Sequence, residues 1–344
     1  MLVHVFENDP HHYNQMVPFF KKTVTEAAEQ LVWCRAPRGN EAGAELDDSD
    51  YRYYRDYKEL SRWLKALPAS ARVVFHSLTD RHLTLALLNW KGIRNAMWVS
   101  WGADTYRYCD RRSDWRVSLG FILHRYLVKR MKKVIALNPG DAKLITSTFG
   151  CERVEVVPYP LLGVDSNLKR SRNDEQRHVL LGTSADKSNE HFELIDRASE
   201  IKSPSTQWIM PLNYGGNEDY INEVIQYGEA KLAGQFQPIT EMLAKTKYDE
   251  LLINIDGAVL AHKRQKGLYV AYFMLMSGKP LFVRDSTTTF KNFTDMEFVV
   301  SGLEQLSSIS QCDGDARFAQ NSQRFWSTFS EQALMPRWKQ VLVA

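Results

Sequence analysis

Several features that would narrow the function of a 344-residue chain are missing from this one. No apolar run approaches the roughly 20 residues of a membrane-spanning helix, so none is expected. The start, Met1-Leu-Val-His-Val-Phe-Glu-Asn-Asp9, lacks the basic head and cleavable apolar stretch of a signal peptide and reads as a first strand. The 4 cysteines (Cys34, Cys109, Cys151, Cys312) are scattered without a CxxC pair, which argues for a reducing compartment and against a zinc site. A net charge of +3 is too small to imply nucleic acid. The first strand runs into Phe6-Glu-Asn-Asp-Pro10 with no GxGxxG, which counts against an epimerase built on a dinucleotide fold. Asp48-Ser-Asp50, preceded by Asp47, has the spacing of a cation-binding acid pair. It lies in the Gly-, Pro- and acid-rich loop from Arg35 to Asp50 and reads as solubilising charge. No metal and no cofactor is expected.

What is present is the usage of a soluble globular protein, 44% hydrophobic and 25% charged, with room for two domains. Short apolar runs alternate with helical patterns at βα spacing. In the first half, strands are expected at Leu2–Phe6, Leu31–Cys34, Ala71–Phe75, Ala96–Trp101, Val134–Leu137 and Arg153–Val157, with a helix from about Gln15 to Gln30 and another at Arg81–Trp90. The polar stretch Leu162–Gln176 reads as a linker. Beyond it, strands are expected at His178–Leu181, Thr206–Met210, Leu251–Asp256 and Pro280–Val283, with helices at Glu218–Tyr227, Ile239–Lys245 and after Gly267. Each half should be a mainly parallel sheet covered on both faces. The expected domains are residues 1–165, 166–325 and a C-terminal helix, 326–344, returning to the first domain.

The most informative stretch is His178-Val-Leu-Leu-Gly-Thr-Ser-Ala-Asp-Lys-Ser-Asn-Glu-His191. A strand breaks at Gly182, Thr183 and Ser184, and a helical pattern opens near Asn189 and Glu190. Loops of small residues before a helix start let backbone N–H groups approach a diphosphate, and the helix dipole favours the anion. A plain structural turn has the same composition. A second such element is Lys263-Arg-Gln-Lys-Gly267, where Arg264 and Lys266 sit after a strand and before a helix. Cations there can meet the charge that grows on a departing phosphate oxygen. Asn217 and Glu218 follow the strand at 206–210 and are candidates for sugar or ribose contact.

In the first half, strand ends deliver polar groups repeatedly: Asp9, His11 and His12, then His76, then Asp104. Open α/β folds bind ligands at those ends, and a histidine or carboxylate there could act as a general base. Surface histidines and an N-capping aspartate are the plain alternatives. From Arg107 to Lys133 there are 9 Arg or Lys and 2 Asp, with Trp115, Phe121 and Tyr126 among them. This suits either a core-packed helix with a basic outer face or a surface lying on anionic lipid.

Five stretches together resemble the TDP-Fuc4NAc:lipid II Fuc4NAc transferases of enterobacterial common antigen synthesis, glycosyltransferase family 56. They are His4-Val-Phe with Asp9-Pro-His-His12, Trp98-Val-Ser-Trp-Gly-Ala-Asp-Thr-Tyr106, the 182–191 loop, Pro211-Leu-Asn-Tyr-Gly-Gly-Asn-Glu-Asp-Tyr-Ile-Asn-Glu-Val224, and Arg264-Gln-Lys-Gly267. The resemblance implies a GT-B fold, two Rossmann-like domains facing across a cleft. It also implies transfer of a 4-acetamido-4,6-dideoxyhexose from a dTDP-sugar to a polyprenyl-diphosphate-linked or related surface glycan. The expected place is the cytoplasmic face of the inner membrane, in peripheral contact with anionic lipid. The expected donor contacts are Gly182, Thr183, Ser184, Asn189, Glu190, Asn217, Glu218, Arg264, Lys266 and Gly267, and the expected catalytic residues Asp9, His11, His12 and Asp104. A glycosyltransferase with another nucleotide sugar, or a nucleotide-sugar binder without transfer, is the alternative.

Overall fold

The computed structural model describes residues 1–24, 29–36, 51–79, 82, 91–108, 115–162, 164, 169–172, 175–311 and 315–343. Of His11, Lys91, Trp115, Arg116, Val117, Ser308, Ser310 and Gln311 it describes the backbone. The acid pair at 48–50, Cys109, Cys312, Arg111, Arg112 and the helix expected at 81–90 lie outside the described residues, apart from His82. Two compact units result: Met1–Leu162 with Glu331–Ala344, and Gly163–Ser330.

The first unit runs β1 (Leu2–Phe6), α1 (Pro10–Thr23), β2 (Gln30–Arg35), β3 (Tyr51–Tyr54), α2 (Tyr57–Ala66), β4 (Arg72–His76), β5 (Ala96–Ser100), α3 (Ala103–Tyr106), α4 (Trp115–Arg130), β6 (Lys133–Ala136), α5 (Pro139–Phe149) and β7 (Val154–Val156). Its seven strands lie in the order β3-β2-β1-β4-β5-β6-β7 and pair in parallel throughout. All five residues of β1 and of β5 are buried, as a sheet covered on both faces demands. Val3, Val5, Phe75 and Trp98 pack on one face, and Leu2, Phe6, Val74 and Val99 on the other.

The second unit runs β8 (Arg177–Leu181), α6 (His191–Ser199), β9 (Thr206–Pro211), α7 (Glu218–Leu232), β10 (Phe236–Ile239), α8 (Lys245–Asn254), β11 (Gly257–Leu260), α9 (Leu268–Met276), β12 (Leu281–Val283), α10 (Thr288–Asp295), β13 (Ser301–Gly302) and α11 (Ala316–Phe329). The strand order is β10-β9-β8-β11-β12-β13, again parallel. A last helix, α12 (Glu331–Val343), belongs to the first unit. Trp338 is fully buried there, and its indole N–H donates to Pro158 O at 2.9 Å.

Three expectations fail. The helix expected at Gln15–Gln30 starts at Pro10, because Asp9 caps it by accepting from His12 N and proline suits a first helical turn. Leu251–Asp256, expected as a strand, is the end of α8, and the strand follows at Gly257. A short apolar run has no period to separate the two states. The helix expected at Ile239–Lys245 is absent, and Phe236–Ile239 forms β10 in its place. Pro238 hid that strand; β10 is an edge, where proline's missing N–H costs no ladder bond.

Candidate functional site

Both sheets reverse their winding beside their first strand, between β1 and β4 and between β8 and β11. Doubly wound sheets open a crevice at such a point, at the carboxyl ends of the strands. In the second unit the loops there are 182–190 and 261–267, the two stretches singled out from the sequence, and they touch. His262 Nδ1 lies 2.9 Å from Ser188 O, and Lys266 Nζ donates to Ser188 Oγ at 2.8 Å. Gly182 has φ 73°, and a Cβ there would sit 2.9 Å from Asn189 Oδ1. Gly267 has φ 69°, and a Cβ would press on Thr183 Cγ2 at 3.1 Å and His262 Nε2 at 3.2 Å. Glycine at 182 lets Asn189 fold back within its own loop, and glycine at 267 lets the second loop meet the first.

Asn189, 1% exposed, pins the first loop. Its Oδ1 accepts from Thr183 N at 2.8 Å, while its Nδ2 donates to Ser184 Oγ at 3.1 Å and Asp186 O at 2.9 Å. His191 joins the loop to α7, with Nε2 2.8 Å from Ser184 O and Nδ1 2.8 Å from Tyr220 Oη. Here an expectation needs correcting. The N–H groups of Gly182 and Thr183 were expected to face a phosphate, but they donate to Val259 O and Asn189 Oδ1. A buried N–H needs a partner in the absence of ligand; β11 supplies one for Gly182 and the loop supplies one for Thr183. Asn189 therefore organises the loop, Asn217 caps α7 by accepting from Tyr220 N at 2.9 Å, and Glu218 is exposed in the first turn of α7.

The cations divide clearly. Lys263 pairs with Glu190 at 3.0 Å and Lys266 with Asp186 at 3.2 Å. Hydrogen bonds from the side chain and backbone of Ser188, aided by Lys266, hold the Asp186 carboxyl down to about 2. Arg264 is exposed and, among the described residues, makes no ion pair or hydrogen bond. His262 is 4% exposed, and burial lowers its pKa. With Nδ1 donating to Ser188 O, its Nε2 is a buried acceptor without a partner.

At the other switch point, Glu7 directly follows β1. It accepts from Arg35 Nη1 at 3.3 Å, Thr79 Oγ1 at 3.2 Å and the Tyr57 hydroxyl, and His82 Nε2 lies 3.4 Å away. Burial opposes its charge, yet His82, Tyr57 and Arg35 keep its carboxyl below the ordinary range. Glu7, Arg35, Ser77, Thr79, Asp104 and Arg107 help line a cavity of about 360 Å³. Asp104 is 4% exposed and accepts from Trp98 Nε1 and Ser100 Oγ at 2.8 Å and from Leu78 N at 3.1 Å. Burial raises its pKa in spite of those donors. Asp9 and His12 stand at the start of α1, with Asp9 Oδ2 3.2 Å from His12 Nδ1 and the imidazole stacked on Trp101 at 4.5 Å. The side chain of His11 is outside the described residues. His76, by contrast, is fully buried between His4 Nδ1 at 3.0 Å and Tyr159 Oη at 2.8 Å.

The sequence reading did not single out Glu7, Arg35, Ser188 or His262, although Glu7 and Ser188 lie inside stretches it marked. Glu7 directly follows β1 and His262 comes two residues after β11, which was the available signal; Arg35 and Ser188 are brought in by contacts 28 and 78 residues away in the chain.

Two doubly wound parallel-sheet units in one chain define the GT-B class of glycosyltransferases. HepE of Anabaena, solved in complex with UDP and glucose, is 12% identical, with 99% of each chain covered and a TM-score of 0.70. Sucrose-phosphate synthase from Thermosynechococcus elongatus is 12% identical over 99% of this chain and 98% of that one, TM-score 0.69. WaaG, a glycosyltransferase involved in lipopolysaccharide biosynthesis, is 11% identical over 100% of both, TM-score 0.65. The chain belongs to the family described as 4-alpha-L-fucosyltransferase, glycosyl transferase group 56, whose model matches residues 1–344. It is a glycosyltransferase, as its motifs implied.

Proposed function

We propose that the enzyme moves a 4-acetamido-4,6-dideoxyhexose from a dTDP-sugar to a polyprenyl-diphosphate-linked or related surface glycan. The observation that carries this is the second switch point: two glycine-paced loops in contact, with Arg264 alone unpaired beside two ion-paired lysines. An exposed guanidinium there is free to take a diphosphate by paired charge-assisted hydrogen bonds. Lys266, 29% exposed, stands next to it and can leave Asp186 for a stronger anion. Leaving-group charge is met by side chains without a divalent ion.

On the acceptor side, Asp9 and His12 form a carboxylate–imidazole pair. Asp9 fixes the proton on Nδ1, so Nε2 can take the proton of an acceptor hydroxyl while that oxygen attacks the anomeric carbon and the sugar–phosphate bond breaks. Asp104 shapes the loop ends around Leu78 and Trp98. Asn189 and Gly267 hold the donor loops, and Glu190, Asn217 and Glu218 are assigned to ribose or sugar hydroxyls. No helix among the described residues is long and apolar enough to cross a membrane. A lipid-linked acceptor is then met by peripheral contact through the basic stretch of the first unit, on the cytoplasmic face.

Thermal protection by nucleotide sugars that vary base and sugar separately tests the donor. The largest shift is expected with dTDP-4-acetamido-4,6-dideoxygalactose. A larger shift with a UDP-hexose would overturn the donor assignment, and no shift with any nucleotide sugar would overturn the site.

A further inference from the structure

The amino edge of the first sheet, opposite the strand ends discussed above, carries a second cavity, of about 430 Å³. Its lining is Arg94, Lys129, Arg130, Met131, Lys132 and Arg153: five cations, one methionine and no acid. The fold gathers them from four places. Arg94 lies in the 3-10 turn Lys91–Asn95 just before β5, Lys132 precedes β6, and Arg153 precedes β7. Lys129 and Arg130 end α4. Arg153 has a structural task, since its Nη2 donates to Lys129 O at 2.8 Å and caps that helix. Arg94, Lys129 and Arg130 have no carboxylate partner among the described residues. Like charges held together without a counter-charge repel, and a bound anion removes that penalty.

The same helix gives the anion a setting. Leu119, Ile122 and Tyr126 are 48%, 61% and 45% exposed, three of the seven large exposed apolar residues described. With Arg130 they follow at steps of three, four and four residues, so they form one stripe along α4. The stripe runs directly into the basic cavity, and the Arg130 guanidinium lies 4.9 Å over the Tyr126 ring. Nucleic acid would use the cations but has no need of exposed leucine and isoleucine. A bilayer surface uses both, because the aliphatic groups enter the headgroup layer while arginine and lysine hold phosphates.

We propose that this cavity is a headgroup site for an anionic phospholipid, with Arg94, Lys129 and Arg130 on the phosphate and Leu119, Ile122 and Tyr126 in the interface. The inference rests on the peripheral-membrane reading above and assigns it to a place; Arg94 lies outside the basic stretch that the sequence marked.

Sedimentation with phosphatidylglycerol–phosphatidylcholine vesicles tests it on the whole protein. The wild type should bind these and not pure phosphatidylcholine, and raising salt should weaken binding by screening. The double variant Arg94→Gln/Lys129→Gln removes two charges that make no side-chain bond among the described residues. It should lower vesicle partitioning roughly 30-fold, with the melting temperature and dTDP binding unchanged. Leu119→Ser/Ile122→Ser should lower it through the apolar term. Displacement by millimolar inorganic phosphate would assign the cavity to the free anion and overturn the lipid site. Equal vesicle binding by wild type and the charge variant would remove the pocket while leaving membrane contact standing. No preference for anionic vesicles in the wild type would remove the membrane reading itself. Tighter, variant-sensitive binding to single-stranded RNA than to vesicles would make this a nucleic-acid surface.

Discussion

The two switch points share a strand order and differ in almost everything placed on it. The second is made of backbone, glycine and small polar groups: Asn189 ties the first loop, Gly182 makes room for it, Gly267 lets the second loop approach, and one arginine stands unpaired among the described residues. The first is made of ionisable side chains in a network: Glu7 with Arg35, Tyr57, Thr79 and His82, and Asp104 with Trp98, Ser100 and Leu78. The diphosphate is common to all nucleoside-diphosphate sugars, so a loop of small residues with one added charge suits it. An acceptor glycan offers hydroxyls at particular places, and a rigid polar network can discriminate among them. Under the proposed function, one topology would support both a general anion holder and a specific hydroxyl reader.

The sharpest way to break this division is at His12. If it takes the acceptor proton, His12→Gln should lower kcat by about 10²–10⁴-fold while calorimetry finds dTDP affinity unchanged. An unchanged kcat would move the chemistry off the Asp9–His12 pair.

Acid should then separate the units. Among the described residues, the first holds four histidines whose pKa values burial pushes down: His4 and His82 to about 4, and His76 and His124 well below the ordinary imidazole value. The second holds two, His191 and His262. A base with a lowered folded-state pKa leaves the unfolded chain to bind the proton first, so stability is lost as pH falls below about 6.5 toward the folded value. At pH 5, His4 and His82 alone would remove about 4 kcal/mol. Asp104 and Asp141, raised by burial, work the other way, since protonating them favours the folded state, and they offset part of the loss. Hydrogen exchange followed by unit at pH 7 and pH 5 should show the first unit loosening more. Equal loss in both would mean that the buried histidines do not govern acid stability.

The smallest of the three effects is expected at Arg264. Arg264→Ala should weaken dTDP binding by about 1.5–3 kcal/mol, roughly 10- to 150-fold. Arg35→Ala in the first unit should leave it within about twofold. Calorimetry that finds the reverse would exchange the roles of the two units.

The alternation of strands and helices, the two-sheet α/β class and the family were legible in the residues, because period and loop composition are local and the motifs are contiguous. The sequence reading marked 182–191 and 263–267 because glycine at a strand end, and cations before a helix, can be read without partners. It misread Leu251–Asp256 because an apolar run that short looks alike as a buried strand or as the end of a helix. Tertiary structure alone decided which polar groups remain available. Thr183 N is occupied because Asn189, six residues on, folds back to it. Lys266 is paired and Arg264 is not, because Asp186 reaches one of them. Arg94 and Arg153 meet the end of α4 only because three strands begin along one edge of a sheet. Each of these depends on distances across the fold, which spacing along the chain does not encode.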